Sequence, residues 1–174
     1  PMIELEADDA LASGAQISSA DERVQRVCIW TPDKDLAQCV RDERVVQVDR
    51  RSQKIRDAAG VREKFGVEPV LIPDFLALVG DAADGYPGIA KIGAVSAARL
   101  LNKHGIIEDF PAAVLGDSRE LALLFKRLAT LRTDARLFRD VDELRWRGPT
   151  DTFAACVERM GEPRLLRRCL AAQK

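Results

Sequence analysis

The stretch PDFLALVGDAADGYPGIAKIGAVSAARLLNKHG, residues 73–105, restricts what this chain can fold into more than any other part of it. It opens with an apolar run at helical spacing (Phe75, Leu76, Leu78, Val79) that is closed by Asp81 and Asp84. Pro87-Gly88 then starts a tight hairpin ending at Gly93, and a helix through Ala97, Ala98, Leu100 and Leu101 is expected to stop at Gly105. Glycine reaches positive φ without a Cβ penalty, and a glycine just past a helix end is its usual stop. A hairpin feeding a helix N-terminus leaves several N–H groups pointing outward, an arrangement suited to a single backbone phosphate.

Carboxylates recur at element boundaries in the same manner. Glu6-Ala7-Asp8-Asp9 precedes an Ala-rich helix, where acids favour the dipole, so capping alone is one explanation. Residues 24–30 are predicted to form a buried strand that runs into Thr31-Pro32-Asp33-Lys34-Asp35 and re-enters a helix at Leu36. Open α/β sheets place ligands at the C-terminal edges of their strands. Asp33 and Asp35 stand two apart, and both reach one point only at a strand-to-helix turn. One acidic pair reads as an exposed turn. Three groups (Glu6/Asp8/Asp9, Asp33/Asp35 and Asp81/Asp84) read as oxygen ligands for magnesium or manganese.

Composition sets the limits on this reading. A chain of 174 residues with 47% hydrophobic and 32% charged content is long enough to bury a core. No apolar run approaches a membrane span, and PMIELEADD carries no basic leader segment. Cys28, Cys39, Cys156 and Cys169 are scattered without CxxC spacing and read as reduced thiols. A net charge of −1 is not the bulk signature of a nucleic-acid binder, although an acidic cluster would offset a basic face in the sum.

The remaining chain is expected to supply scaffold. Met2–Leu5 reads as the end of a strand, 44–57 as a β-hairpin with the solvated turn Arg50-Arg51-Ser52-Gln53-Lys54, and 58–65 as a helix stopped by Gly66. Pro69 starts the helix leading into the central stretch, and 106–118 is looser. Helix 119–131 places Leu121, Leu124, Leu128 and Leu131 on one face, an expected core stripe. Residues 140–149 read as a linker or short strand in which Trp146 packs, followed by helices near 151–160 and 163–172, the last exposing Arg164, Arg167 and Arg168. His104, the only histidine, sits in a last helical turn and receives no catalytic role.

Four motifs together resemble the 5′ nucleases, a family of flap endonucleases, phage 5′ exonucleases and the 5′ nuclease domain of bacterial DNA polymerase I. GDAADGYPG at 80–88 with KIG at 91–93, VSA at 95–97 and LL at 100–101 is similar to that family's helix–three-turn–helix, its longer helix-hairpin-helix. EADD at 6–9 matches a family metal motif, TPDKDLAQCV at 31–40 resembles TGDKDLxQLV, and LATLRTD at 128–134 resembles LATIKTD. The resemblance implies an α/β fold: the C-terminal portion of a PIN-like sheet over 1–79, and a mainly helical DNA-binding region over 80–174. It implies metal ligation by Glu6, Asp8, Asp9, Asp33, Asp35, Asp81 and Asp84, with Asp8, Asp33 and Asp35 as the catalytic set, around two magnesium or manganese ions. It implies DNA contacts from Gly88, Lys91, Ile92, Gly93, Ser96, Arg99 and Lys103, and potassium at the hairpin beside Ser96. The implied partner is duplex DNA with a 5′ flap or free 5′ end, the implied setting the bacterial cytoplasm at the nucleoid.

Two departures qualify the resemblance. The family's leading strand, with its further metal aspartates and basic arch, has no counterpart before Pro1. The chain is therefore expected to be weak or inactive alone, and to pair with an N-terminal companion fragment or a second copy, although its ending soon after LATLRTD reads as a free-standing nuclease. Within the hairpin, Lys91 stands where the family has glycine, Val95 where it has lysine, and Ala82-Ala83 where it has two serines. The resemblance and its departures together leave three functions open: a metal-dependent 5′-3′ exonuclease or flap endonuclease, a catalytically incomplete duplex-binding module, and an RNA-cleaving relative.

Overall fold

The computed structural model describes residues 4–173. The chain forms two compact units, Pro1–Leu137 and Phe138–Lys174. In the first, helix α1 (Ala7–Ala20) starts at a capping box in which the Asp9 carboxylate accepts from the Glu6 N–H at 3.1 Å. Its small residues Ala12, Ser13 and Ala15 let it lie close against strand β1 (Val27–Ile29). A 3₁₀ turn, Asp35–Cys39, crosses back to strand β2 (Val45–Asp49), which pairs parallel with β1. Strand β3 (Lys54–Arg56) returns antiparallel, giving the order β1-β2-β3.

Helical structure follows. α2 (Ala58–Phe65) is capped by the Asp57 carboxylate on Gly60 N–H at 2.8 Å and ends at Gly66. A 3₁₀ turn at Pro69–Leu71 leads into α3 (Ile72–Val79), buried along nearly its whole length. The loop 80–93 connects to α4 (Ala94–His104), and 106–118 folds as short helical turns, including α5 (Ala112–Leu115), before α6 (Arg119–Ala129). The main core gathers Ile72, Leu76, Leu78, Ala97, Leu101, Ile107 and Phe125 from these helices, and a smaller one (Ala15, Ile29, Leu36, Val45) lies under the sheet. The second unit holds a 3₁₀ turn at Val141–Leu144, α7 (Phe153–Arg159) and α8 (Pro163–Ala172), with Val157 buried and Gln173 Nε2 donating to the Arg147 carbonyl at 2.9 Å.

Several expectations need correction. The strand expected over 24–30 is only Val27–Ile29 and exposes Cys28, because β1 is an edge strand among the described residues. Of the strand expected at Met2–Leu5, Met2 and Ile3 lie outside the described residues, and Glu4 and Leu5 are in no strand. Of the leucine stripe of 119–131, only Leu131 packs on a core, the smaller one under the sheet. Leu121, Leu124 and Leu128 are exposed, and α6 buries Ala122, Phe125 and Ala129 instead. Ala122 and Ala129 flank Phe125 on this face, and all three join the main core with α3. Residues 140–149 contain no strand, and Trp146 is exposed.

One buried charge ties the helices together. Asp74, 1% exposed on α3, accepts from the Ile107 N–H at 2.8 Å and pairs with Lys126 Nζ of α6 at 2.8 Å. Removing the ammonium leaves a buried carboxylate under-compensated. Lys126→Met is therefore expected to cost on the order of 2 kcal/mol, lowering the thermal midpoint by roughly 4–8 °C for a chain of this size; a midpoint unchanged in calorimetry would refute this.

Candidate metal centre

The loop after β1 is shaped by its own polar side chains. Thr31 Oγ1 accepts from the Asp33 N–H at 3.2 Å, and Asp33 Oδ1 accepts from the Asp35 N–H at 3.2 Å. These two local bonds turn the chain so that Asp33 and Asp35 project to the same side. From below, the buried Gln47 of β2 donates its Nε2 to the Asp33 carbonyl and accepts from Arg56 at 3.0 Å, which fixes the loop to the sheet. Asp8, in the first turn of α1, comes up beside it, and ligand oxygens of Asp8, Asp33 and Asp35 all lie within 4.8 Å of one another.

The second half of the centre comes from the loop 80–88. Gly80 and Gly88 both hold positive φ, 91° and 74°, and a Cβ on Gly80 would stand 2.4 Å from the Pro87 carbonyl carbon. Only glycine permits that contact. It closes a loop in which Asp81 and Tyr86 exchange backbone hydrogen bonds at 2.8 and 3.0 Å. The closed loop presents Asp81 and Asp84 to Asp35, and oxygens of these three again lie within 4.8 Å of one another. Asp35 belongs to both groups.

Charge is poorly compensated here. Asp35 is 7% exposed and Asp81 1%, and Asp35 Oδ1 and Asp81 Oδ2 are buried without a hydrogen-bond partner. Burial, then the facing Asp84 carboxylate, then Asp33 and Asp81 push the Asp35 carboxyl up to about 7. Burial first, then Asp33, Glu6, Asp84 and Asp9, raises Asp8 as well. Orphaned buried oxygens in a ring of carboxylates fit a hard cation that prefers oxygen ligands. Tyr86, stacked on Phe125 with ring centroids 5.4 Å apart, roofs the same loop, and its hydroxyl too is buried without a partner.

Not every acid expected here takes part. Glu6 caps α1 and stands outside both three-carboxylate groups. Asp9 also stands outside them, because its oxygens accept from the N–H groups of Glu6 at 3.1 Å and Arg132 at 2.8 Å. The Arg132 bond belongs to a strap: Ser13 Oγ accepts from Ala135 N–H, and Gln38 bonds the Ala129 carbonyl and the Leu131 N–H. The LATLRTD segment is thus backbone lashed over α1 and the 3₁₀ turn beside the centre. On the hairpin, Lys91 is exposed at φ 67°, the Ile92 N–H is taken by the Ile89 carbonyl at 3.0 Å, and Ser96 Oγ donates to the Gly93 carbonyl at 2.9 Å. Gly88 is buried and Gly93 is the N-cap residue of α4, while Arg99 and Lys103 are exposed on that helix.

Two family models match consecutive parts of the chain: the 5′-3′ exonuclease N-terminal resolvase-like domain over residues 2–66, and the 5′-3′ exonuclease C-terminal SAM fold over residues 67–152. The chain belongs to the 5′-3′ exonuclease family. It is 38% identical over 158 residues to the DNA polymerase I of Pseudomonas aeruginosa, covering 80% of this chain and 17% of the polymerase. It is 36% identical over 163 residues to a 5′-3′ exonuclease of Aquifex aeolicus, covering 86% of this chain and 54% of that protein. The chain thus spans about half the length of that exonuclease, and much less of the polymerase. A solved structure of the phage T5 5′-exonuclease superposes with a TM-score of 0.64 at 20% identity, covering 74% of this chain and 56% of that one, and so shares the fold. A phage T5 flap endonuclease in complex with DNA and metal ions gives 0.64 at 19% identity, covering 74% and 50%.

Within this 5′-3′ exonuclease framework, sequence reasoning overlooked Lys34, Gln38, Gln47, Ser13 and Tyr86. Lys34, Gln38 and Tyr86 sit inside recognised motifs and Ser13 and Gln47 outside them, but the role of each is a contact with a distant segment, which spacing does not display. The acid ring also sets a pH dependence. Asp35 titrates near 7 when folded, against an ordinary value of 3.8. The folded state then keeps a proton the unfolded state has released, so this group costs metal-free stability increasingly as pH rises from about 4 to about 7. Asp35→Asn removes that cost. In chelator its thermal midpoint should exceed the parent's, with a gap that widens from pH 5 to pH 8; a gap that narrows would contradict the assignment.

Proposed function

We propose that this chain carries the metal-binding and duplex-binding parts of a 5′-3′ exonuclease or flap endonuclease that hydrolyses DNA phosphodiesters, with magnesium or manganese as its ions. The observation that carries this reading is the convergence of Asp8, Asp33, Asp35, Asp81 and Asp84, two of whose oxygens are buried without a partner. Divalent ions bound there would supply Lewis-acid polarisation of the phosphodiester and a water acidified for attack. The chain's own residues do the rest. Asp8, Asp33 and Asp35 would hold one ion, and Asp35, Asp81 and Asp84 the other. Gln47 and the glycine-closed loop keep them aligned.

We assign the metal function to residues 1–79 together with the start of the hairpin loop, and duplex contact to 80–174. Lys91, exposed at the hairpin tip, and Arg99 and Lys103, four apart on the exposed face of α4, would meet the phosphates of one strand. Such contacts position a duplex without reading bases. The hairpin carbonyls and Ser96 are where potassium would bridge to a phosphate. The phage T5 flap endonuclease complex with DNA and metal ions supports DNA as the partner. In this role the protein would work at the bacterial nucleoid, and among the described residues no helix is long and apolar enough to cross a membrane. The edge of β1, unpaired among the described residues and beside exposed Cys28 and Trp30, would receive a companion strand or a second copy.

A second reading, a duplex-binding module without catalysis, is favoured by one observation: Asp9, an acid of the EADD motif, is spent on the LATLRTD strap. Cleavage of a 5′-labelled flap duplex in magnesium, with thermal midpoints followed in parallel, separates the two. The nuclease reading expects a midpoint raised by magnesium and cleavage lost in Asp81→Asn. Duplex binding without a metal-dependent midpoint or cleavage supports the module.

Duplex binding has its own signature. Lys91→Glu should weaken binding to all duplexes alike and reduce the slope of log affinity against log salt by about 1. Unchanged affinity in a fluorescence titration would remove the hairpin tip from the interface.

A further inference from the structure

Lys34 lies in sequence between two acids of the centre, yet its side chain reaches neither. It crosses to the hairpin loop, where Nζ stands 2.6 Å from Asp81 Oδ1. That oxygen also accepts from the Ala83 N–H at 3.0 Å, while Asp81 Oδ2 is buried with no partner. Asp81 is 1% exposed, whereas the Lys34 side chain keeps 36% of its surface in solvent. The carboxylate cannot move to water, but the ammonium can.

The same Asp81 offers an oxygen within 4.8 Å of ligand oxygens of Asp35 and Asp84. A divalent ion entering that group meets a ligand already neutralised by a tethered cation, and a short carboxylate–ammonium contact is a strong one. Two cations on one buried carboxylate repel each other. No lysine or arginine stands in this relation to the other group: among the described residues, none forms an ion pair with Asp8, Asp33 or Asp35.

We propose that Lys34 is the exchangeable counter-ion of the Asp35/Asp81/Asp84 position, holding Asp81 in the metal-free protein and leaving when a divalent cation binds. The proposal rests on the metal reading above. Two consequences follow. The Asp8/Asp33/Asp35 position fills first, and the second position binds more weakly than its carboxylate count implies, because each ion must displace the ammonium. Lys34 is thus a positioning residue: it keeps the hairpin loop docked on the β1 loop while the acid ring is empty.

The test uses the whole chain and manganese alone. Binding is followed by calorimetry and by the electron paramagnetic resonance signal of the free ion, in the parent, Lys34→Met and Lys34→Arg. Lys34→Met is expected to tighten the weaker class of sites by about tenfold or more and to lower the metal-free thermal midpoint. Lys34→Arg, which keeps the cation, should stay near the parent. A weaker class that is unchanged or loosened in Lys34→Met overturns the proposal. A second measurement needs no folded variant: in the parent, the Lys34 ammonium resonance, protected by its ion pair, should vanish or shift at saturating magnesium. Its persistence unchanged at saturation overturns the proposal even if both positions fill. Absence of metal binding in every form overturns the metal reading itself, and this inference with it.

Discussion

At Gly80 and Gly88 two stretches of backbone meet so closely that a Cβ added to either would fall 2.4 Å from the other. The rest of the centre depends on that contact. It brings the end of α3 against the start of the hairpin, lets the Ile89 N–H donate to the Leu78 carbonyl at 2.8 Å, and turns Asp81 and Asp84 toward the β1 loop. An alanine at either position would have to open the loop, and the carboxylates of 81 and 84 would separate from Asp35. Backbone sterics at two glycines therefore decide whether the acids form one ring or two unrelated acidic turns.

The ring is electrostatically unfavourable when empty. Five acids are held together, one pushed up to about 7 by burial and its facing neighbour, with two buried oxygens unpartnered. The surrounding structure tolerates this because its loops are tied from several sides: Gln47 beneath, Gln38 and Ser13 through the LATLRTD strap, Lys34 across the top. Strain held by an over-determined scaffold is typical of a site that gains its balance from a ligand. Elsewhere the chain handles buried charge differently: Asp74 is matched by Lys126 and a backbone N–H, so it stabilises the helical half and needs no ion.

Local signals were read well where the chemistry is local. The hairpin of 44–57, α2 with its Gly66 stop, the turn into α4 and the Gly105 stop follow from turn residues and caps, whose effect extends only a few positions. Non-local packing was read less well. Leu121, Leu124 and Leu128 have core spacing, yet the face that α6 turns inward carries Ala122, Phe125 and Ala129. Periodicity shows that a helix has two faces, and the tertiary neighbour decides which of them is buried.

The order of residues alone settled which atoms are available: oxygen ligands at three element boundaries, glycines where the backbone must turn, and motifs that mark a 5′-3′ exonuclease. Tertiary structure decided how those atoms are shared out. It placed Asp35 in both three-carboxylate groups, drew Asp9 away to the strap, spent the Ile92 N–H inside the hairpin, and laid Lys34 on Asp81. The physical reason is the range of the forces. Turn and cap preferences act within a few residues and are visible in a linear string. The competition of a buried carboxylate between a cation, an N–H group and another carboxylate is settled only when segments distant in sequence are brought within hydrogen-bonding distance.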